Sequence, residues 1–172
     1  MGDLGVLTQT GDDVVLTFRR RFNHPAEKVW RAVTEEEHLA TWFPQKIKGE
    51  WRAGAPLRFE SDGGDGFEGE VIAFDPPSML ELMWGTDRLR IEVRPDGDGS
   101  VLTLVDTFVE LGKAARDGAG WHECLERLEH HLDGAPLGKW GAGWPALFER
   151  YKQALGPEAS TIGPPEGWQP ES

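Results

Sequence analysis

Between Glu110 and Trp121 the hydrophobic period of the chain changes from two residues to 3.6, and this switch restricts the fold more than any other feature. Upstream, Arg88-Leu89-Arg90-Ile91-Glu92-Val93-Arg94 alternates strictly, with charges on one face and aliphatics on the other. One-sided strands of this kind belong to an antiparallel sheet with one solvated face. Downstream, Trp121, Leu125, Leu128 and Leu132 form the stripe of an amphipathic helix. A sheet with one apolar face must be covered, and the helix that follows it is the element available to do so.

The same reading gives candidate strands at Val14–Phe22, Gln45–Trp51, Leu57–Ser61, Phe67–Asp75, Met79–Trp84, Arg88–Arg94 and Val101–Glu110. Turn residues separate them, as in Asp62-Gly63-Gly64-Asp65-Gly66 and Asp96-Gly97-Asp98-Gly99. Two short helices are expected after the first strand, which is taken as an edge. One begins with Pro25 at its first helical position, and the other is capped by Thr34 with Glu37 completing a capping box. Gly134 ends the long helix, and Trp144, Leu147, Phe148, Tyr151 and Leu155 mark another helical stripe up to Gly156.

These elements predict an α+β fold, a curved antiparallel sheet of about six to seven strands wrapped around a long C-terminal helix. Residues 13–156 form the domain, residues 1–12 a flexible N-terminus and residues 157–172 a Pro-rich flexible tail.

Composition excludes several partners. Thirty acidic residues against eighteen basic ones give a formal net charge of −12, so phosphate-rich nucleic acid and anionic membranes are not expected partners. No signal peptide is read, and no apolar run reaches the ~20 residues needed to span a bilayer, so a cytoplasmic location is expected. The single cysteine, Cys124, reads as a packing residue. No ligand spacing for a metal and no cofactor motif is present, so neither is expected. Monomer and homodimer stay open.

Eight tryptophans and eight phenylalanines are the material for a pocket. The expected lining is Trp42, Phe43, Trp51, Phe59, Trp84, Trp121 and Leu125, with Trp140 and Trp144 capping the mouth. Asp106 shares its parity with Leu102, Leu104 and Phe108 and is expected to point inward, where a carboxylate needs a partner or a shifted pKa. His122 is a candidate polar group at the rim. No catalytic constellation is legible.

The stretch Phe22-Asn23-His24-Pro25-Ala26-Glu27-Lys28-Val29-Trp30-Arg31-Ala32-Val33-Thr34, followed by Glu37-His38-Leu39-Ala40-Thr41-Trp42-Phe43, resembles the opening of the START-like superfamily. Within it the match is to homologues of the C-terminal domain of the heat-shock-protein-90 ATPase activator. Gly120 to Leu128 and Trp144 to Tyr151 resemble the C-terminal helical region of a bacterial branch.

The resemblance implies a helix-grip fold with a hydrophobic cavity between sheet and helix. It implies three roles: a binding protein for an apolar, aromatic or lipid-like ligand; a co-chaperone-like partner in the stress response; or a cyclase or dehydratase using cavity polar groups. Small-molecule binding ranks first among these.

Overall fold

The computed structural model describes residues 2–63 and 65–170. Met1, Gly64, Glu171 and Ser172 lie outside the described residues, and with them the centre of the expected 62–66 loop and the extremities of both expected flexible ends.

Eight strands form one antiparallel sheet: β1 (Val6–Thr10), β2 (Asp13–Phe22), β3 (Lys46–Gly49), β4 (Pro56–Glu60), β5 (Gly66–Asp75), β6 (Met79–Trp84), β7 (Asp87–Asp96) and β8 (Gly99–Phe108). Their order across the sheet is β1-β2-β8-β7-β6-β5-β4-β3. Helices α1 (Ala26–Thr34) and α2 (Glu36–Trp42) connect β2, next to one edge of the sheet, to β3 at the other edge. After β8 come α3 (Ala114–Asp133) and α4 (Trp144–Leu155). This is the helix-grip architecture, and the α+β expectation holds.

The period-two reading places the core correctly. Val14, Leu16, Phe18 and Phe22 of β2 are buried, as are Leu89, Ile91 and Val93 of β7. Leu102, Leu104, Asp106 and Phe108 of β8 are buried on the same inward face. Register sets Asp106 between Leu16 on one neighbour and Leu89 on the other. The helical stripe Trp121, Leu125, Leu128 and Leu132 is buried over this sheet, and α3 stops at Gly134.

Four expectations are corrected. Val6–Thr10 is a strand paired with β2, so the sheet has eight strands and β2 is not an edge. Its side chains are mostly exposed, and no buried stripe betrays it in sequence. Pro25 sits at the N-cap of α1, not inside its first turn. Thr34 closes α1 by donating its hydroxyl to the Trp30 carbonyl at 2.8 Å, and Glu35 holds the N-cap of α2 without a side-chain hydrogen bond.

The long helix begins at Ala114, about two turns before Trp121. Its second turn carries Gly118 because α4 packs close there, where a Cβ would lie 2.9 Å from the Tyr151 ring.

The segment expected to trail as a loose tail makes contacts. Ala159 is buried, Ile162 donates its amide to the Gly112 carbonyl at 3.0 Å, and the Trp168 ring meets Trp144 at 5.0 Å. Among the described residues no helix is long and apolar enough to cross a membrane.

Candidate functional site

The rings that pack β6 against α3 open into a cleft of about 640 Å³. Trp84 stands at the end of β6, and its ring meets Trp121 of α3 at 5.0 Å and Phe67 of β5 at 5.7 Å. Both indole N–H groups are turned to protein acceptors. Trp84 Nε1 donates to Gln45 Oε1 at 2.8 Å, and Trp121 Nε1 donates to Asp106 Oδ2 at 3.1 Å.

The opposite wall comes from the α3–α4 connection, the start of α4 and the tail, which bring Trp140, Trp144 and Trp168. Glu123 of α3 anchors this wall by accepting the Gly141 amide at 2.9 Å and the Gly143 amide at 3.2 Å. Gly141 has φ 82, and a Cβ there would lie 2.9 Å from the Trp168 ring, so both its conformation and its lack of a side chain are needed. Arg127 fastens the connection from the other side. It donates to the Thr41 and Gly138 carbonyls, and its guanidinium lies 3.9 Å from the Trp140 ring centroid.

Of the residues named from the sequence, Trp84, Trp121, Trp140 and Trp144 lie around the cleft. Trp42, Phe43, Phe59 and Leu125 are fully buried core residues behind the cleft. The Phe43 ring packs against Phe59 and Trp121, with centroids 6.2 and 5.6 Å apart. Trp51 lies elsewhere, against Phe74, with Nε1 donating to the Thr34 carbonyl at 2.6 Å. Trp168, Asp117 and Glu123 line the cleft without having been singled out by sequence. Cys124 lines it too but is buried, and burial pushes its thiol pKa up.

Asp106 lies directly beneath the cleft, with none of its surface exposed. Three carboxyl groups, Asp87, Asp106 and Asp117, gather within 4.8 Å of one another. Lys113 is their cation, 2.5 Å from Asp87 Oδ1 and 3.4 Å from Asp117 Oδ2. Arg116 Nε donates to Asp117 Oδ1 at 2.9 Å.

With every carboxyl ionised, Asp106 Oδ1 and Asp87 Oδ2 would be buried acceptors without a partner. A proton held by Asp106 and shared with Asp87 satisfies both. Burial first, and the neighbouring Asp87 charge and hydrogen bond second, push Asp106 up to about 9, so it is the neutral member at pH 7. Burial also raises Asp117, the only one of the three that reaches the cleft. Lys113 already supplies the positive charge that a bound metal would bring. A second grouping, Glu35, Glu37 and His38, lies near the surface, with His38 Nδ1 2.8 Å from His131 Nε2.

His122 belongs to neither the cleft nor its rim. It is fully buried between α3 and α4, with Nδ1 2.8 Å from the Tyr151 hydroxyl. The Gly5 amide donates to that hydroxyl at 2.8 Å, and Nε2 lies 3.5 Å from Glu126 Oε1. Burial, reinforced by Arg20 and Arg150, lowers its pKa to about 4.

Asp106 and His122 therefore serve separate networks and do not meet at one point of a pocket. Each was legible as a residue; their partners, which come from elements distant in sequence, were not.

Among solved structures the chain is similar to EF2215, a conserved protein of unknown function from Enterococcus faecalis. The two are 19% identical over 88% of this chain and 90% of that one, with a TM-score of 0.75. CalU16 from Micromonospora echinospora is 21% identical over 86% of this chain and 91% of its own, with a TM-score of 0.68. DynU16, from the dynemicin biosynthetic locus, is 24% identical over 71% of this chain and 48% of its own, with a TM-score of 0.63.

These likenesses show a shared fold. No protein with a curated description matches the chain significantly in sequence. A sequence profile described as Activator of Hsp90 ATPase homolog 1-like protein matches residues 23–133, from the end of β2 to the end of α3. The chain belongs to the family of Activator of Hsp90 ATPase homolog 1-like proteins.

Proposed function

We propose that this protein binds an apolar, ring-containing small molecule in the tryptophan-lined cleft between β6, α3 and the C-terminal segment. The supporting observation is the convergence of five tryptophan rings, from four separate parts of the chain, around one space of about 640 Å³. That volume falls in the range of small-molecule sites. A ligand burying about 250 Å² of apolar surface there gains roughly 6 kcal/mol before the costs of association. DynU16 shares the fold and comes from a biosynthetic locus, a setting suited to a protein that handles a small molecule.

The partner-binding reading rests on family membership. The exposed large hydrophobics among the described residues, Val6, Ile72 and Val109, come from three separate elements. An enzymatic role using Asp106 with His122 finds no support in their placement.

Native mass spectrometry of the protein purified from its own host tests the proposal. A stoichiometric small molecule that dissociates on denaturation is the expected result. A clean apo mass, together with tryptophan emission indifferent to a panel of hydrophobic ligands, would contradict it.

A further inference from the structure

Resting on the cleft as the ligand site, we infer that its ligand is an organic cation, an amine or quaternary ammonium carried on an apolar ring system. Three carboxylates line the cleft, Asp62, Asp117 and Glu123, against one guanidinium, Arg116. That guanidinium already donates its Nε to Asp117. Behind Asp117, Lys113 is shared between Asp87 and Asp117, so Asp62, Asp87, Asp117 and Glu123 face the two cations Arg116 and Lys113.

The aromatic lining has the same preference. Trp84 and Trp121 turn their N–H donors into Gln45 and Asp106, which leaves ring carbon to face a ligand. A ring face is the negative pole of the indole quadrupole and attracts a cation. One wall residue already accepts such a contact, since the Arg127 guanidinium lies over Trp140 at 3.9 Å. An anion of the same shape would meet an excess of carboxylates.

The reading goes beyond size and hydrophobicity, because it ranks ligands of one shape by their charge. Three naphthalene probes of matched body separate the outcomes by calorimetry: 1-naphthylmethylammonium, 1-naphthalenemethanol and 1-naphthoate. The expected order is ammonium tightest, alcohol intermediate and carboxylate weakest, with at least tenfold between the first and last and one-to-one stoichiometry. Added salt should weaken the ammonium and leave the alcohol unchanged. Trp84→Leu should weaken all three and shrink the ammonium's advantage over the alcohol. If the alcohol or the carboxylate binds as tightly as the ammonium, the cation inference fails while the cleft remains a ligand site. If none of the three binds, both fail.

Discussion

Asp106→Asn is expected to stabilise the fold by about 6 kcal/mol at pH 8 and to change nothing near pH 4. Asp106 ordinarily ionises near 3.8 but holds its proton to about 9 in the folded chain. Below pH 3.8 both the folded and the unfolded carboxyl are protonated and no penalty exists. From there to about pH 9 the folded state keeps a proton that the unfolded state releases, so stability falls by ~1.4 kcal/mol per pH unit.

His122 works in the opposite sense. Its pKa drops from 6.5 to about 4 on folding, so it adds stability as pH rises through that window. The two slopes cancel between about pH 4 and 6.5. Above pH 6.5 His122 no longer offsets Asp106, whose titration should cost the wild-type chain about 3 kcal/mol between pH 6.5 and 9.

An amide at this position mimics the protonated acid. Its oxygen can accept from Trp121 Nε1, its nitrogen can donate to Asp87, and it does not titrate. Alanine also removes the titration but leaves the Trp121 N–H and the Asp87 oxygen unpaired, so Asp106→Ala should fall about 3 kcal/mol below Asp106→Asn. Urea denaturation of the three proteins at pH 4.5, 6.5 and 8.5 checks this. The Asn variant should gain stability between pH 4.5 and 6.5, where His122 acts unopposed, and a loss between pH 6.5 and 8.5 as large as the wild type's would contradict the account. A buried acid held neutral against its own stability, directly behind a cleft wall, is a pattern more typical of functional sites than of plain core.

Gly69→Ala should have the largest purely structural effect, a loss of about 3 kcal/mol or more. Gly69 pairs with Trp84 across β5 and β6. A Cβ at Gly69 would come 1.9 Å from the Met83 carbonyl oxygen and 2.8 Å from the Phe59 ring. The carbonyl is backbone in a sheet paired on both sides, so relief requires pushing β6 away just where it presents Trp84 to the cleft. A thermal melt of the variant should show the loss, with tryptophan emission shifted even in the remaining folded protein. An unchanged melting temperature would refute the assigned register.

Sheet and helix were readable because alternation and the 3.6-residue stripe are local signals. Leu89, Ile91 and Val93 announce their face within seven residues, and Leu125, Leu128 and Leu132 announce theirs within eight. Asp106 was readable by parity alone.

What stayed hidden depends on contacts between distant segments. Val6–Thr10 is a strand because β2 offers it an edge to pair with, and its own pattern carries no stripe. Phe43 and Phe59 are buried rings that the sequence could not tell from rings lining a space, because no single-sequence pattern separates the two. Trp168 joins the cleft only through a tail whose composition reads as loose.

The eight tryptophans allow one measurement of the central claim. In a nitrogen-15 correlation spectrum each indole N–H gives its own peak. Titration with 1-naphthalenemethanol should move the signals of Trp84, Trp121, Trp140, Trp144 and Trp168, which line the cleft, and leave those of Trp30, Trp42 and Trp51 in place. Shifts centred on Trp30, Trp42 or Trp51, or no shifts at all, would contradict the assignment of the cleft as the binding site.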